Sequence, residues 1–160
     1  MFLLYQIIIL LILIFSPIIL IIRLINNKED RKRYVEKFCY KLKKRDEGNL
    51  IWIHAASVGE FKSVVPLINK LEKNNNIKTI LVTTSTLSSS KIFNTFKFKK
   101  TIHQFFPVDF FYFSSKFINY WKPKVAIFID SEIWPSMFKQ IKKDSIPLLL
   151  MNARITKKSY

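Results

Sequence analysis

Cysteine is almost missing from this chain. Cys39 is the one thiol among 160 residues, so no intrachain disulfide framework and no Cys-x-x-Cys metal motif can be built. Glycine is nearly as scarce, at 2 residues. Neither G-x-G-x-x-G nor G-x-x-x-x-G-K-[ST] occurs, which excludes a glycine-rich nucleotide loop. The G-x-S-x-G elbow of serine hydrolases is absent too. The two histidines, His54 and His103, lie far apart in sequence and read as structural residues, so no side-chain metal site is expected. Acidic residues are few: 11 Asp+Glu stand against 27 Lys+Arg, a formal net charge of +16.

That excess of base points to anionic partners. Part of it reflects a chain rich in Lys, Asn, Ile and Phe, the usage of an AT-rich genome. Recognition of single-stranded RNA bases would need aromatics on an exposed face, whereas the phenylalanines here suit buried helix faces, so no nucleic-acid partner is expected. Lipid phosphates are the better match, because charge is missing altogether from Met1–Ile22. This run has about the ~20 apolar residues needed to cross a bilayer, and a membrane helix tolerates Pro17. A cleaved signal peptide would carry its basic residues in front and small residues at a cleavage site. Here Arg23, Lys28, Arg31, Lys32 and Arg33 follow the apolar run instead. Residues 1–24 therefore read as an uncleaved, single-pass membrane anchor, with the rest in the cytoplasm by the positive-inside rule.

Residues 25–48 are densely charged. Val35, Phe38 and Leu42 recur at helical spacing, which predicts a basic juxtamembrane amphipathic helix that Gly48 can end. From residue 49 to 160 a different rhythm takes over. "NLIWIHAA", "IKTILVTTS", "TIHQFFP", "KVAIFID" and "IPLLLMNAR" are strand-like and apolar on both faces. Helical segments such as "EFKSVVPLINKLEKNN" and "FFYFSSKFINYWK" separate them. The alternation predicts an α/β, Rossmann-like parallel sheet. The chain stops at "TKKSY", straight after the fifth strand, where such a domain usually continues, so an interrupted domain is expected.

Ligands of open α/β sheets bind beyond the carboxyl ends of the strands. The polar residues expected there are Ser57, Gly59 and Glu60, then Thr83, Thr84 and Ser85, then Asp109, Asp130, Ser131 and Glu132, and finally Asn152 and Arg154. Gly59 would allow a sharp turn or the close approach of a ligand. Glu60 would open a helix whose dipole favours its ionised form. A carboxylate at a cleft mouth can act as a general base, although a helix-flanking role explains the same residue. Glu132, before Trp134-Pro135, would face the Glu60 turn across the switch between strands one and four.

At these residues the chain resembles the Kdo transferases, which attach 3-deoxy-D-manno-octulosonic acid to lipid A precursors. "WIHAASVGEF", "TTST", "FFPVDF", "IFIDSEIWPSM" and "PLLLMNARIT" fall in that family's order and spacing. The resemblance implies the amino-terminal, acceptor-side half of a GT-B glycosyltransferase used in lipopolysaccharide biosynthesis. It implies inverting transfer from CMP-Kdo without a metal or other cofactor, Glu60 as general base and Glu132 as a second catalytic carboxylate. Ser57, Gly59, Thr84, Asp130, Asn152 and Arg154 would contribute to substrate binding. Asp130 and Ser136 depart mildly from the family's E-T-E-L-W-P-N pattern. The donor site of this family lies mostly in a second domain that these 160 residues do not supply. The competing expectation is a non-catalytic, membrane-tethered module that binds lipid A precursor. A membrane-anchored nucleic-acid binder is a distant third.

Overall fold

The computed structural model describes residues 2–130 and 133–152. Five strands, β1 (Leu50–His54), β2 (Thr79–Thr84), β3 (Thr101–Phe105), β4 (Val125–Ile129) and β5 (Leu148–Met151), form one sheet in the order β3-β2-β1-β4-β5. Every pairing is parallel, with Trp52 beside Leu81 on one flank and beside Ala126 on the other. This is the doubly wound arrangement the alternating pattern predicts. The helices are α2 (Val58–Glu72), α3 (Leu87–Phe93), α4 (Phe111–Trp121) and α5 (Pro135–Lys143).

Alternation along each strand feeds two separate cores. Leu50, Trp52, Leu81 and Phe128 pack with Phe117 and Trp121 of α4 and Met137 and Ile141 of α5. Ile53, Ile80, Val82 and Ile127 pack on the other face with Phe61, Val64 and Ile68 of α2 and Phe93 of α3. β1 thus sends its chain to one face of the sheet and β4 to the other. The crevice between their carboxyl ends is the topological switch point.

The segment 25–48 departs from the amphipathic helix predicted for it. It contains a single 3₁₀ turn, Tyr34–Phe38, which ends where Cys39 takes a left-handed φ of 55°. Tertiary partners override the helical spacing. Glu36 is buried, and it accepts from Arg33 Nε and Nη2 (2.6 and 2.9 Å) and from the Phe105 N–H (3.0 Å). The Val108 N–H donates to Lys37 O at 2.8 Å, and the Lys43 N–H donates to Gln104 Oε1 at 3.2 Å. The segment is therefore a strap across the β3 edge, supplying partners to an edge strand. Phe38 meets Phe113 edge-on at 5.7 Å and Leu42 joins the α4–α5 core, so the apolar residues of the strap face the domain. Gly48 closes the strap at φ 123°, where a Cβ would lie 2.6 Å from Lys78 Cγ.

In front of the strap stands α1 (Phe2–Ile25), long and apolar enough to cross a membrane. Its half-buried residues, including Tyr5, Gln6, Ile9, Leu13 and Leu20, recur every three or four positions and lie along one face. At its first turns the Tyr5 hydroxyl donates to Asp109 Oδ2 and Gln6 Nε2 donates to Ser136 Oγ, each at 2.7 Å. The Phe111 N–H donates back to Gln6 Oε1 at 3.1 Å. These bonds and a full crossing by α1 exclude each other, because a crossing would carry Tyr5 to the far side.

Candidate functional site

β1 ends at His54, and the chain turns through Ala55 and Ala56 into α2. Ser57 is the N-cap, its Oγ accepting from the Glu60 N–H at 3.3 Å. Glu60 reaches back, and its Oε2 accepts from the Ala56 N–H at 2.7 Å. This is a variant of the reciprocal capping box, displaced by one residue towards the strand. The flanking role weighed from sequence is therefore real, but it occupies one carboxylate oxygen. Among the described residues no group donates to Oε1, and Glu60 is only half-buried. The site consequently offers an acceptor oxygen at the mouth of the switch point, held in place by its twin.

Gly59 needs no special backbone. It sits in the first turn of α2 without a positive φ, and a Cβ there would meet only Ser57 Oγ at 3.9 Å. The sharp turn expected of it is not present. What glycine leaves at this exposed position is open space beside the carboxylate.

The remaining candidates divide. Asp130 and Asn152 come together, both in left-handed conformation (φ 57° and 59°), with Asn152 Nδ2 donating to Asp130 Oδ1. The Asp130 N–H also donates to Met151 O at 2.8 Å, so the pair clips the ends of β4 and β5 together. Thr84 points elsewhere. It is fully buried, with its hydroxyl 2.9 Å from His103 Nε2. Arg33 Nη2 donates to His103 Nδ1 at 2.8 Å. Because guanidinium only donates, Nδ1 accepts and the Nε2 hydrogen goes to Thr84. Burial, with Arg33 and Lys43 nearby, pushes the His103 pKa down to about 2, so this histidine is neutral structure on the β3 side. Glu132 and Arg154 lie outside the described residues.

Beneath the switch point His54 is fully buried, its ring 4.0 Å from Phe106 and 5.0 Å from Phe128 between centroids. Its Nδ1 lies 3.0 Å from Thr83 Oγ1, which also accepts from Trp52 Nε1 at 2.9 Å. Burial lowers its pKa to about 3. Asp109 is the residue whose role sequence reasoning missed. It is buried, and its carboxylate accepts from the Ser136 and Met137 N–H groups at 2.9 and 2.8 Å, capping α5 from another loop. Pro135 at the first position of α5 was a legible start signal. The capping carboxylate is far away in sequence and left no local signature. Among the described residues no group of three His, Cys, Asp or Glu is placed to hold a metal ion.

Comparison with known proteins follows the same motifs. Residues 31–160 match the family model described as 3-deoxy-D-manno-octulosonic-acid transferase (kdotransferase). The chain is 42% identical over 143 residues to 3-deoxy-D-manno-octulosonic acid transferase of Rickettsia bellii, covering 89% of this chain and 34% of that protein. A probable mitochondrial 3-deoxy-D-manno-octulosonic acid transferase of Arabidopsis thaliana is 33% identical, over 86% of this chain and 31% of its own length. The Haemophilus influenzae transferase is 33% identical over 68% of the chain and 26% of its own length. The chain thus spans about a third or less of these relatives. With its doubly wound sheet and its Ser57–Glu60 turn at the switch point, the chain belongs to the 3-deoxy-D-manno-octulosonic acid transferase family.

Proposed function

We propose that this chain forms the acceptor side of a glycosyltransferase that moves Kdo from CMP-Kdo to a lipid A precursor. The observation that carries the reading is Glu60. One carboxylate oxygen is fixed by the Ala56 N–H, and the other has no donor among the described residues. In the proposed step the free oxygen takes the proton of an acceptor sugar hydroxyl. That hydroxyl oxygen bonds to the anomeric carbon of Kdo, the bond to the phosphate breaks, and CMP leaves with the electron pair. Glu132 would be the second carboxylate of the site, and Ser57, Gly59, Asp130, Asn152 and Arg154 would border the substrates. Thr84 would act only through His103, since it is buried. The proposal needs no metal or other cofactor, and CMP-Kdo is a substrate. A further domain would supply most of the donor site.

Attachment to the inner membrane through α1, with the α/β domain in the cytoplasm, belongs to the same proposal. It is supported by the apolar helix and the basic residues that follow it. A single pass through the bilayer requires α1 to give up its bonds to Asp109, Phe111 and Ser136. The competing reading is a membrane-tethered module that binds the precursor without catalysis.

Glu60→Gln tests the mechanism in a complete enzyme, made by fusing this chain to a family donor domain. Glutamine can keep the bond from Ala56 but cannot take the proton. General-base catalysis is worth about 10²–10⁴-fold, so turnover should fall by that factor with acceptor binding retained. Near-normal turnover with a lowered melting temperature would make Glu60 a cap and nothing more.

A further inference from the structure

A cavity of about 260 Å³ lies between α1 and the carboxyl ends of β2 and β3. Its walls are mostly apolar, with Ile9 of α1 on one side and Phe106, Pro107, Val108 and Trp134 on the other. Two of its lining residues each carry a polar atom without a partner. Ser85 Oγ and Trp134 Nε1 are both buried and neither has a partner among the described residues. Buried polar groups are rarely left unpaired, and a ligand that supplies an acceptor there would satisfy both. Ser85 is also tied to the candidate site, since its N–H donates to Ala56 O at 3.2 Å and the Ala56 N–H holds Glu60.

The chemistry of the occupant follows from these walls. Lys37, Asp109 and Tyr5 also line the cavity, but each is already bonded within the protein, to Glu29, to the first N–H groups of α5 and to Asp109 respectively. A sugar or phosphate would therefore find only one hydroxyl and one indole N–H without partners. An aliphatic chain with a carbonyl or hydroxyl at its head fits both the apolar lining and the two unpaired atoms. Elsewhere on α1, Leu3, Ile7, Leu10, Ile14 and Ile18 are exposed, a surface suited to lipid. A chain leaving the cavity along α1 would pass directly into the bilayer.

We propose that this cavity seats one acyl chain of the membrane-borne acceptor, with the carbonyl end at Ser85 and Trp134. This deepens the acceptor reading and rests on it for the identity of the lipid, whereas the seat itself rests on the cavity. The seat exists with α1 docked, because Ile9 supplies one of its walls, and an α1 that crosses the bilayer would dismantle it.

The test reads lipid contact and not Kdo transfer, so it can fail independently of the transferase reading. The full chain is placed in phosphatidylglycerol vesicles, and the fluorescence of Trp134 is isolated by difference from Trp134→Phe. Phosphatidylglycerol carrying bromine near the carbonyl end of its chains should quench that component. Val108→Phe, which fills the cavity, should lose the quenching without losing its cooperative melting, and Val108→Ile should lose part of it. Acylated disaccharide diphosphate should relieve the quenching by displacing the brominated chain, and its deacylated form should not. Quenching absent in the parent, or undiminished in both Val108 variants, overturns the seat. Relief by the deacylated form would place a sugar in the cavity and overturn the acyl assignment. Quenching that neither form relieves would give the seat to bulk lipid and remove the acceptor from it.

Discussion

Glu36 and Glu60 both accept hydrogen bonds from backbone N–H groups, and their surroundings give them different uses. Glu36, in the strap, is 4% exposed. Both its oxygens are occupied, by Arg33 and by the Phe105 N–H. Glu60, at the turn after β1, is half-buried, with one oxygen held and no donor to the other among the described residues. A carboxylate saturated by a guanidinium and a strand edge fixes structure, and removing it leaves the half-buried Arg33 without a carboxylate partner. A carboxylate half satisfied at a strand end is oriented and still able to accept. Counting the partners of each oxygen separates the two where residue type and charge do not.

The comparison breaks most sharply if both residues are changed in the fused enzyme. Glu60→Gln should cost about 3–5 kcal/mol of transition-state stabilisation and little melting temperature. Glu36→Ala should do the reverse, costing about 3–5 kcal/mol of folding stability with turnover per folded molecule preserved. Equal effects of the two on turnover would erase the distinction, and steady-state rates with thermal melts measure it directly.

Acid comes next in size, and it probes both sides of the sheet. His54 and His103 have folded pKa values of about 3 and about 2 against the ordinary 6.5. Between those limits the unfolded chain binds protons that the folded chain refuses, so stability is fullest above pH 6.5 and falls as pH drops. Each histidine should contribute about 2 kcal/mol of loss between pH 6.5 and about pH 5. Denaturant midpoints across that range measure the slope. His103→Asn, which can still accept from Arg33, should remove about half of it and leave the share of His54.

The smallest effect belongs to the cap. Ser57→Ala should cost about 0.5–1 kcal/mol, at the low end because the bond it removes is 3.3 Å long. If the Ala56–Glu60 bond alone orients the carboxylate, turnover in the fused enzyme should change little. A loss approaching that of Glu60→Gln would show that the cap sets the aim of the base.

Much of the architecture was legible because it is local. The strand–helix alternation, the apolar faces of α2 and α4 and the start of α5 at Pro135 are all written in neighbouring residues. The strap was not. Val35, Phe38 and Leu42 have helical spacing, yet Glu36 is bound to Arg33 and to a strand that is distant in sequence. The same limit applied at the site. Ser57 and Glu60 announce a helix start three residues apart, and the fold makes them one. Gly59 suggested a sharp turn or the close approach of a ligand, and its conformation is ordinary with open space beside it. Thr84 suggested a ligand contact, but side chains alternate along a strand, and register aims its hydroxyl at His103.

The sequence by itself determined the α/β class, the apolar leading helix, the basic balance and the position of Glu60 at the end of β1. These follow from periodicity and from residue chemistry that neighbours can express. Only the tertiary structure decided that Asp109 caps α5, that α1 docks through Tyr5 and Gln6, and that Ser85 and Trp134 share an apolar cavity beside the Glu60 turn. Each of those depends on groups from separate elements meeting at hydrogen-bonding or packing distance, and a parallel sheet brings such groups together only after its crossovers are made.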